Sequence, residues 1–216
     1  TVIVVCLNCH SIFSRYGKGL NVRMVYDALP GSLVVTAPKG QDIVIHDPCG
    51  VRFCTDTHAT VRRLIGMTGI TFQEMDHAKE QTLCCGTGAG VNVLSSELAD
   101  RWLERTWKEA GERRVVTYCC GCAGRLSTKA PAVHALDVLC EPEVALAGKS
   151  KVSRTPFTYL NRLRVKHYFK KAVNATVSRE RTFAASKGKK THGYRQNSGK
   201  APELLEASLP SSCLLY

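Results

Sequence analysis

Two adjacent cysteines, Cys84 and Cys85, run straight into a glycine-rich turn, Gly86-Thr87-Gly88-Ala89-Gly90. Neighbouring cysteines rarely join each other, because the disulfide ring is strained. They can, however, place two thiolates on one inorganic group. Glycines beside them let backbone come close and leave N–H groups free to point at sulfur. Two further cysteine motifs lie at nearly equal intervals on either side: His46-Asp47-Pro48-Cys49 upstream and Cys119-Cys120-Gly121-Cys122 downstream. Five thiolates are more than a structural zinc needs, since it takes four ligands. The pairs Cys6-x-x-Cys9 and Cys119-x-x-Cys122 also lie too far apart for a zinc ribbon. Iron–sulfur clusters are held by thiolates and tuned by hydrogen bonds to sulfur. Iron–sulfur chemistry is the leading reading, with a zinc site and a dithiol redox site as alternatives. Cys6-Leu7-Asn8-Cys9 follows a strand in the manner of a thioredoxin motif. The equally placed copy at Cys119 makes it a repeated feature of a larger site.

The chain has 216 residues and 11 cysteines. Thr1 to Val5 is apolar but short, with no basic segment before it, so no secretory signal is expected. A reducing, cytoplasmic setting follows, in which clustered cysteines serve metal or redox chemistry rather than a disulfide framework. The absence of an initiator Met reads as a fragment or a processed chain. No apolar run reaches the roughly 18 residues of a spanning helix.

The elements that must position these motifs read as alternating strands and helices. Thr1 to Val5, Gln41 to Ile45, Thr68 to Met75 and Arg114 to Tyr118 are apolar strand candidates. Leu20 to Leu29 and Ala132 to Leu139 each read as a short strand and helix, and Thr57 to Met67 as a helix. Ser95 to Ala110 is the clearest helix: Ser95 or Ser96 can cap it, Leu98, Trp102, Leu103 and Trp107 form its apolar stripe, and Gly111 ends it. This alternation predicts an α/β fold, a small parallel sheet flanked by helices. The cysteine motifs then fall at the carboxyl ends of strands, where such sheets build their sites. The segment from Val4 to Leu29 resembles the segment from Val116 to Leu139, cysteine pair included. The N-terminus thus reads as the last part of an earlier repeat.

Residues 1–148 are balanced in charge, whereas beyond them only Glu180, Glu203 and Glu206 are acidic. The net charge of +12 therefore sits in the tail. This argues for a neutral domain with a basic appendage and against a specific nucleic-acid-binding domain. Within the tail, Pro156 to Val173 is expected to form a basic amphipathic helix, with Phe157, Leu160, Leu163, Tyr168 and Phe169 on its apolar side. Such a helix suits a membrane-bound partner or an anionic membrane surface, at the inner face of the membrane. Ser186 to Ala201 has the composition of a disordered linker.

His46-Asp47-Pro48-Cys49, Cys84-Cys85-Gly86 and Cys119-x-x-Cys122, in this order and spacing, resemble the cysteine-rich CCG domain of heterodisulfide reductase. The same domain occurs in the iron–sulfur subunits of anaerobic glycerol-3-phosphate dehydrogenase and of lactate and glycolate oxidases. The resemblance covers about residues 40–140. It implies a noncubane four-iron four-sulfur cluster held by Cys49, Cys84, Cys85, Cys119 and Cys122. His46, Gly86 and Gly88 are expected to support those ligands, and Cys6 and Cys9 to be remnants of a second site. Three segments follow: 1–39 as the end of a first cysteine-rich repeat, 40–148 as a complete domain, and 149–216 as a basic tail, part helix and part disordered. The resemblance implies electron transfer beside a flavin-containing or ferredoxin-like redox subunit, with FAD carried only by that partner. A disulfide-reducing catalytic subunit and a zinc-stabilised scaffold are the alternatives. Cys120 stands where the family usually has proline, while Cys54, Cys140 and Cys213 are not expected to be ligands. Arg52 reads as a solvated arginine rather than a contact for an acidic substrate.

Overall fold

The β-branched runs form short strands, and every strand pair is parallel. A computed structural model describes residues 1–149 and 156–172, which fall in separate units. In the first unit, β1 (Val2–Val4) leads through Cys6 into α1 (Leu7–Tyr16). Strand β2 (Val22–Met24) returns beside β1, Val4 opposite Met24, and runs into α2 (Val25–Ala28). The main sheet begins with β3 (Ile43–His46), and α3 (Thr55–Met67) carries the chain to β4 (Phe72–Glu74). Beyond the cysteine pair come α4 (Val91–Leu94), α5 (Ser96–Ala110) and β5 (Arg114–Thr117). Helix α6 (Cys120–Leu126) then leads to β6 (Ala132–His134), followed by α7 (Ala135–Cys140) and α8 (Pro142–Leu146).

The four main strands lie in the order β4-β3-β5-β6. From β3 the chain steps to β4 on one side, then crosses back to β5 on the other. The strand order therefore reverses between the carboxyl ends of β3 and β5, which is where open parallel sheets bind their ligands. Side chains alternate between the two faces of a strand. Ile43, Ile45 and Val116 share one core with α3 residues Val61, Leu64 and Ile65, with Val138 and Leu139 of α7, and with Val4, Met24 and Tyr26. Val44 and Val115 face the opposite core, with Leu103 of α5, Leu126 of α6, Met75, Cys85 and Cys122.

Several expected boundaries move for local reasons. The strand expected over 68–75 shrinks to Phe72–Glu74, because Thr68 caps α3 and Gly69 takes a left-handed φ of 82°. Helix α5 has its expected bounds: the Ser95 side chain accepts a hydrogen bond from the Leu98 N–H at 3.3 Å, and Gly111 at φ 62° ends it. The expected stripe is corrected, because Ala99, Leu103, Thr106 and Ala110 form the buried face while Leu98 and Trp107 are exposed. The internal repeat has the same form at both ends, strand, cysteine-capped helix, strand, helix. Cys6 precedes α1 at ψ 125° and Cys119 precedes α6 at ψ 122°.

In the second unit, α9 (Phe157–Ala172) is the expected helix, but its apolar side is not. Leu163, Leu160, Phe157 and Tyr168 fall within an arc of about 140° around the axis, but Phe169 lies about 100° outside that arc and the basic Arg164 and Lys171 fall inside it, so the apolar stripe is not continuous. Phe157, Leu163 and Phe169 are exposed, as are Tyr159, Leu160 and Tyr168. The linker expected over 186–201 and Cys213 lie outside the described residues. Among the described residues, no helix is long and apolar enough to cross a membrane.

Candidate metal centre

Three chain segments arrive at the crevice between β3 and β5. Pro48 turns the chain after β3, and Cys49 opens a tight turn over Cys49–Val51. Cys119 follows β5 by one residue beyond Tyr118 and caps α6, which sets Cys122 on that helix's first turn. Cys84 and Cys85 come from the crossover between β4 and β5. Cys49 Sγ lies 3.9 Å from Cys84 Sγ, and Cys85 Sγ lies 3.2 Å from Cys122 Sγ. Cys84 also bonds to Cys85, and Cys119 to Cys122. The five thiols form one connected row, all of them free.

Their protonation is uneven. The Cys84 thiol is held far below its ordinary range, first by the hydrogen bond from Cys49, then by Cys85 and by the N–H groups of Gly86 and Gly88, against the effect of burial. Cys119 is lowered to about 6, chiefly by Cys122, with the N–H groups of Cys122 and Gly121 helping. Cys49 is pushed up by its bond to Cys84 and by burial, and Cys122 by its bonds to Cys119 and Cys85. For Cys85 the bond to Cys122 lowers the pKa, but Cys84 and burial outweigh it and the thiol rises. Protons thus sit on Cys49, Cys85 and Cys122, where a bound cation would displace them, since metal ligation requires thiolate.

The glycines make room for this row. A Cβ on Gly88 would stand 3.3 Å from Cys84 Sγ and 3.4 Å from Cys49 Sγ. Gly86 has φ 86°, and a Cβ there would strike the Ala99 carbonyl oxygen. His46 is the last residue of β3 and shares the face of Val44, on the side of Cys85 and Cys122. A ring nitrogen of His46 and the sulfurs of Cys85 and Cys122 all lie within 4.8 Å of one another, and all three residues are buried. Among the described residues its Nε2 has no hydrogen-bond partner, and neither has Oγ1 of Thr117, its neighbour on β5. Thiol-rich donors, an unpartnered buried nitrogen and a glycine cradle together fit an iron–sulfur group.

What holds the three segments in register is Asp47, which sequence reading passed over. Its fully buried carboxylate takes two hydrogen bonds from Arg62, at 2.9 and 2.8 Å. It also accepts from the Tyr118 hydroxyl at 2.7 Å and from the Lys79 N–H at 2.6 Å. Thr82 Oγ1 donates to the Asp47 carbonyl at 2.6 Å. Asp47 therefore ties the segment before Cys49 to the residue before Cys119 and to the approach to Cys84. Burial opposes its charge, but Arg62 and Tyr118 hold its carboxyl below the usual carboxylate range. Arg62 reaches on to Glu74 of β4 through two bonds of 2.6 and 2.7 Å. Arg52, read from sequence as solvated, instead donates to the Thr82 carbonyl at 2.6 Å and straps the same loop. The only sequence signal for any of this is a carboxylate beside a cysteine motif with arginines one helix away.

Cys6 and Cys9 bond to each other, Cys6 exposed and Cys9 half-buried against the first core. Cys120 is exposed at the start of α6, with burial, Cys119 and Cys6 raising its pKa. Cys54 packs against the first core and Cys140 is exposed.

An α/β sheet with five thiols at its switch point defines a cysteine-rich metal-binding class. Residues 43–127 match the family model of the cysteine-rich domain named CCG. The chain is also similar to one of the subunits of fumarate reductase (CoM/CoB) from Methanothermobacter marburgensis, at 29% identity over 107 residues. That match covers 46% of this chain but only 21% of the relative, so the chain spans about a fifth of the relative's length.

Proposed function

We propose that this chain is an iron–sulfur oxidoreductase subunit, or part of one, whose CCG domain carries a four-iron four-sulfur cluster for electron transfer. The observation that carries the proposal is the convergence of Cys49, Cys84, Cys85, Cys119 and Cys122 into one connected row at the switch point. Zinc would take four donors and leave a fifth thiol of the row idle. The bound cluster would accept and donate single electrons. The chain's own residues hold the thiolates in place, direct the N–H groups of Gly86 and Gly88 at Cys84, and shut water out behind His46 and Cys122. Similarity to a reductase subunit supports a partner that supplies or takes those electrons, a flavin-containing or ferredoxin-like subunit, with any FAD on that partner.

Iron, zinc and acid-labile sulfide should be measured on protein purified without oxygen, with an electron paramagnetic resonance spectrum after oxidation. About four irons and four sulfides per chain are expected, lost in Cys84→Ser/Cys85→Ser. One zinc without sulfide would sink the redox reading.

A further inference from the structure

The geometry points to His46 as a nitrogen ligand on the same metal ion as Cys85 and Cys122, so that the centre's donor set includes an imidazole besides thiolates. This inference rests on the iron–sulfur reading above. Position comes first. Strand alternation places His46 on the Val44 face, and the parallel register sets it beside Thr117 at the carboxyl end of the sheet. Cys85 and Cys122 belong to the core on that same face. Their sulfurs lie 3.2 Å apart, and a His46 ring nitrogen lies within 4.8 Å of each. One ion with Zn- or Fe-like bonds of roughly 2.0–2.3 Å spans donors up to about 4.4 Å apart, so a closing shift of at most about 0.4 Å brings all three within reach of it.

Satisfaction comes second. His46 is 1% exposed, so water does not reach it. Among the described residues its Nε2 makes no hydrogen bond, to sulfur or to any other atom. A buried polar atom with no partner costs on the order of 1–3 kcal/mol, so native proteins rarely leave one so. The Thr117 hydroxyl is the polar neighbour across β5, and it too is unpartnered and makes no bond to the ring. What remains within reach is whatever Cys85 and Cys122 hold. A pure supporting role, an N–H donated to a sulfur, is the competing geometry, and it predicts a different spectrum.

The test is pulsed electron paramagnetic resonance on anaerobically purified whole chain with ¹⁵N-labelled histidine, in the redox state that gives a spin signal. ⁵⁷Fe Mössbauer spectra of the same protein cover a spinless centre. A strong, bonded ¹⁵N coupling, or one iron site with nitrogen ligation, lost in His46→Ala while iron and sulfide remain, is the expected result. Should His46→Ala lose its cluster, the labelled wild-type protein and His46→Gln still decide the matter. A weak, through-hydrogen-bond coupling, or none, on a protein that holds iron and sulfide overturns the ligand assignment and leaves the cluster reading intact. No iron and sulfide in the wild-type protein overturns both.

Discussion

At the scale of single residues, one carboxylate outside the thiol row ties together the segments that carry the thiols. Asp47 touches all three arriving segments, and its partners Arg62, Lys79 and Tyr118 lie on α3, on the approach to Cys84, and just before Cys119. Asp47→Asn removes the buried carboxylate charge that Arg62 pairs with, and losing one member of a buried pair costs about 3 kcal/mol. Urea unfolding of the metal-free, reduced protein should show that loss, and a midpoint equal to wild type would refute the keystone role. Gly88→Ala should act differently. Its Cβ presses on two sulfurs and on no backbone, so the fold should survive while iron and sulfide per chain drop. Gly86→Ala meets the Ala99 carbonyl at a left-handed φ, and should instead lower the unfolding midpoint, with strain of about 1–3 kcal/mol. Iron retained at wild-type level in Gly88→Ala would show that the cradle is not needed.

At the scale of elements, the strands and helices were legible wherever periodicity and caps were strong, and the site was legible only in outline. Ser95, Leu103 and Gly111 announced α5, and the β-branched runs announced β3 and β5. Cysteine spacing placed five thiols after strands. It could not show that Tyr118 bonds Asp47 across 71 residues, or that Arg52 straps Thr82. Such pairs depend on strand order, which a local pattern does not contain. The same limit hid the two buried histidines outside the thiol row. His58 on α3 is 2% exposed and His134 on β6 is 9% exposed, and burial lowers the pKa of each. Asp47 opposes that shift at His58 and Arg62 adds to it, with the Val51 backbone and Glu80 also facing the ring and opposing. For a lowered histidine the unfolded chain binds the proton first. The stability it contributes is complete above its ordinary value of 6.5 and is lost as pH falls toward the folded value. Cys119, lowered from 9.0 to about 6, loses its share over the higher window between those values. Unfolding midpoints from pH 7 down to 5 should therefore fall, and His58→Gln should flatten the slope below 6.5. An unchanged slope would mean His58 protonates in the folded state as easily as in the unfolded one.

At the scale of the whole chain, charge and chemistry are separated. Residues 1–148 contain every candidate ligand and balance their charges, while the excess of +12 lies beyond them. Within α9 the basic residues Arg162, Arg164, Lys166, Lys170 and Lys171 alternate with apolar ones around the axis, and no acidic residue interrupts them. A helix without a continuous apolar stripe gains little from inserting into lipid, because such binding scales with the apolar area buried on one side. Its attraction for a partner is then mainly electrostatic and is screened by salt. Deleting residues 150–216 should therefore leave iron and sulfide per chain unchanged. It should also abolish retention on anionic vesicles, retention that the full chain should itself lose between low and about 0.5 M salt. Vesicle binding that persists at high salt would point to apolar insertion after all. A truncated chain that no longer holds its metal would show that the basic segment supports the centre, and that the boundary expected near residue 148 does not separate two independent parts.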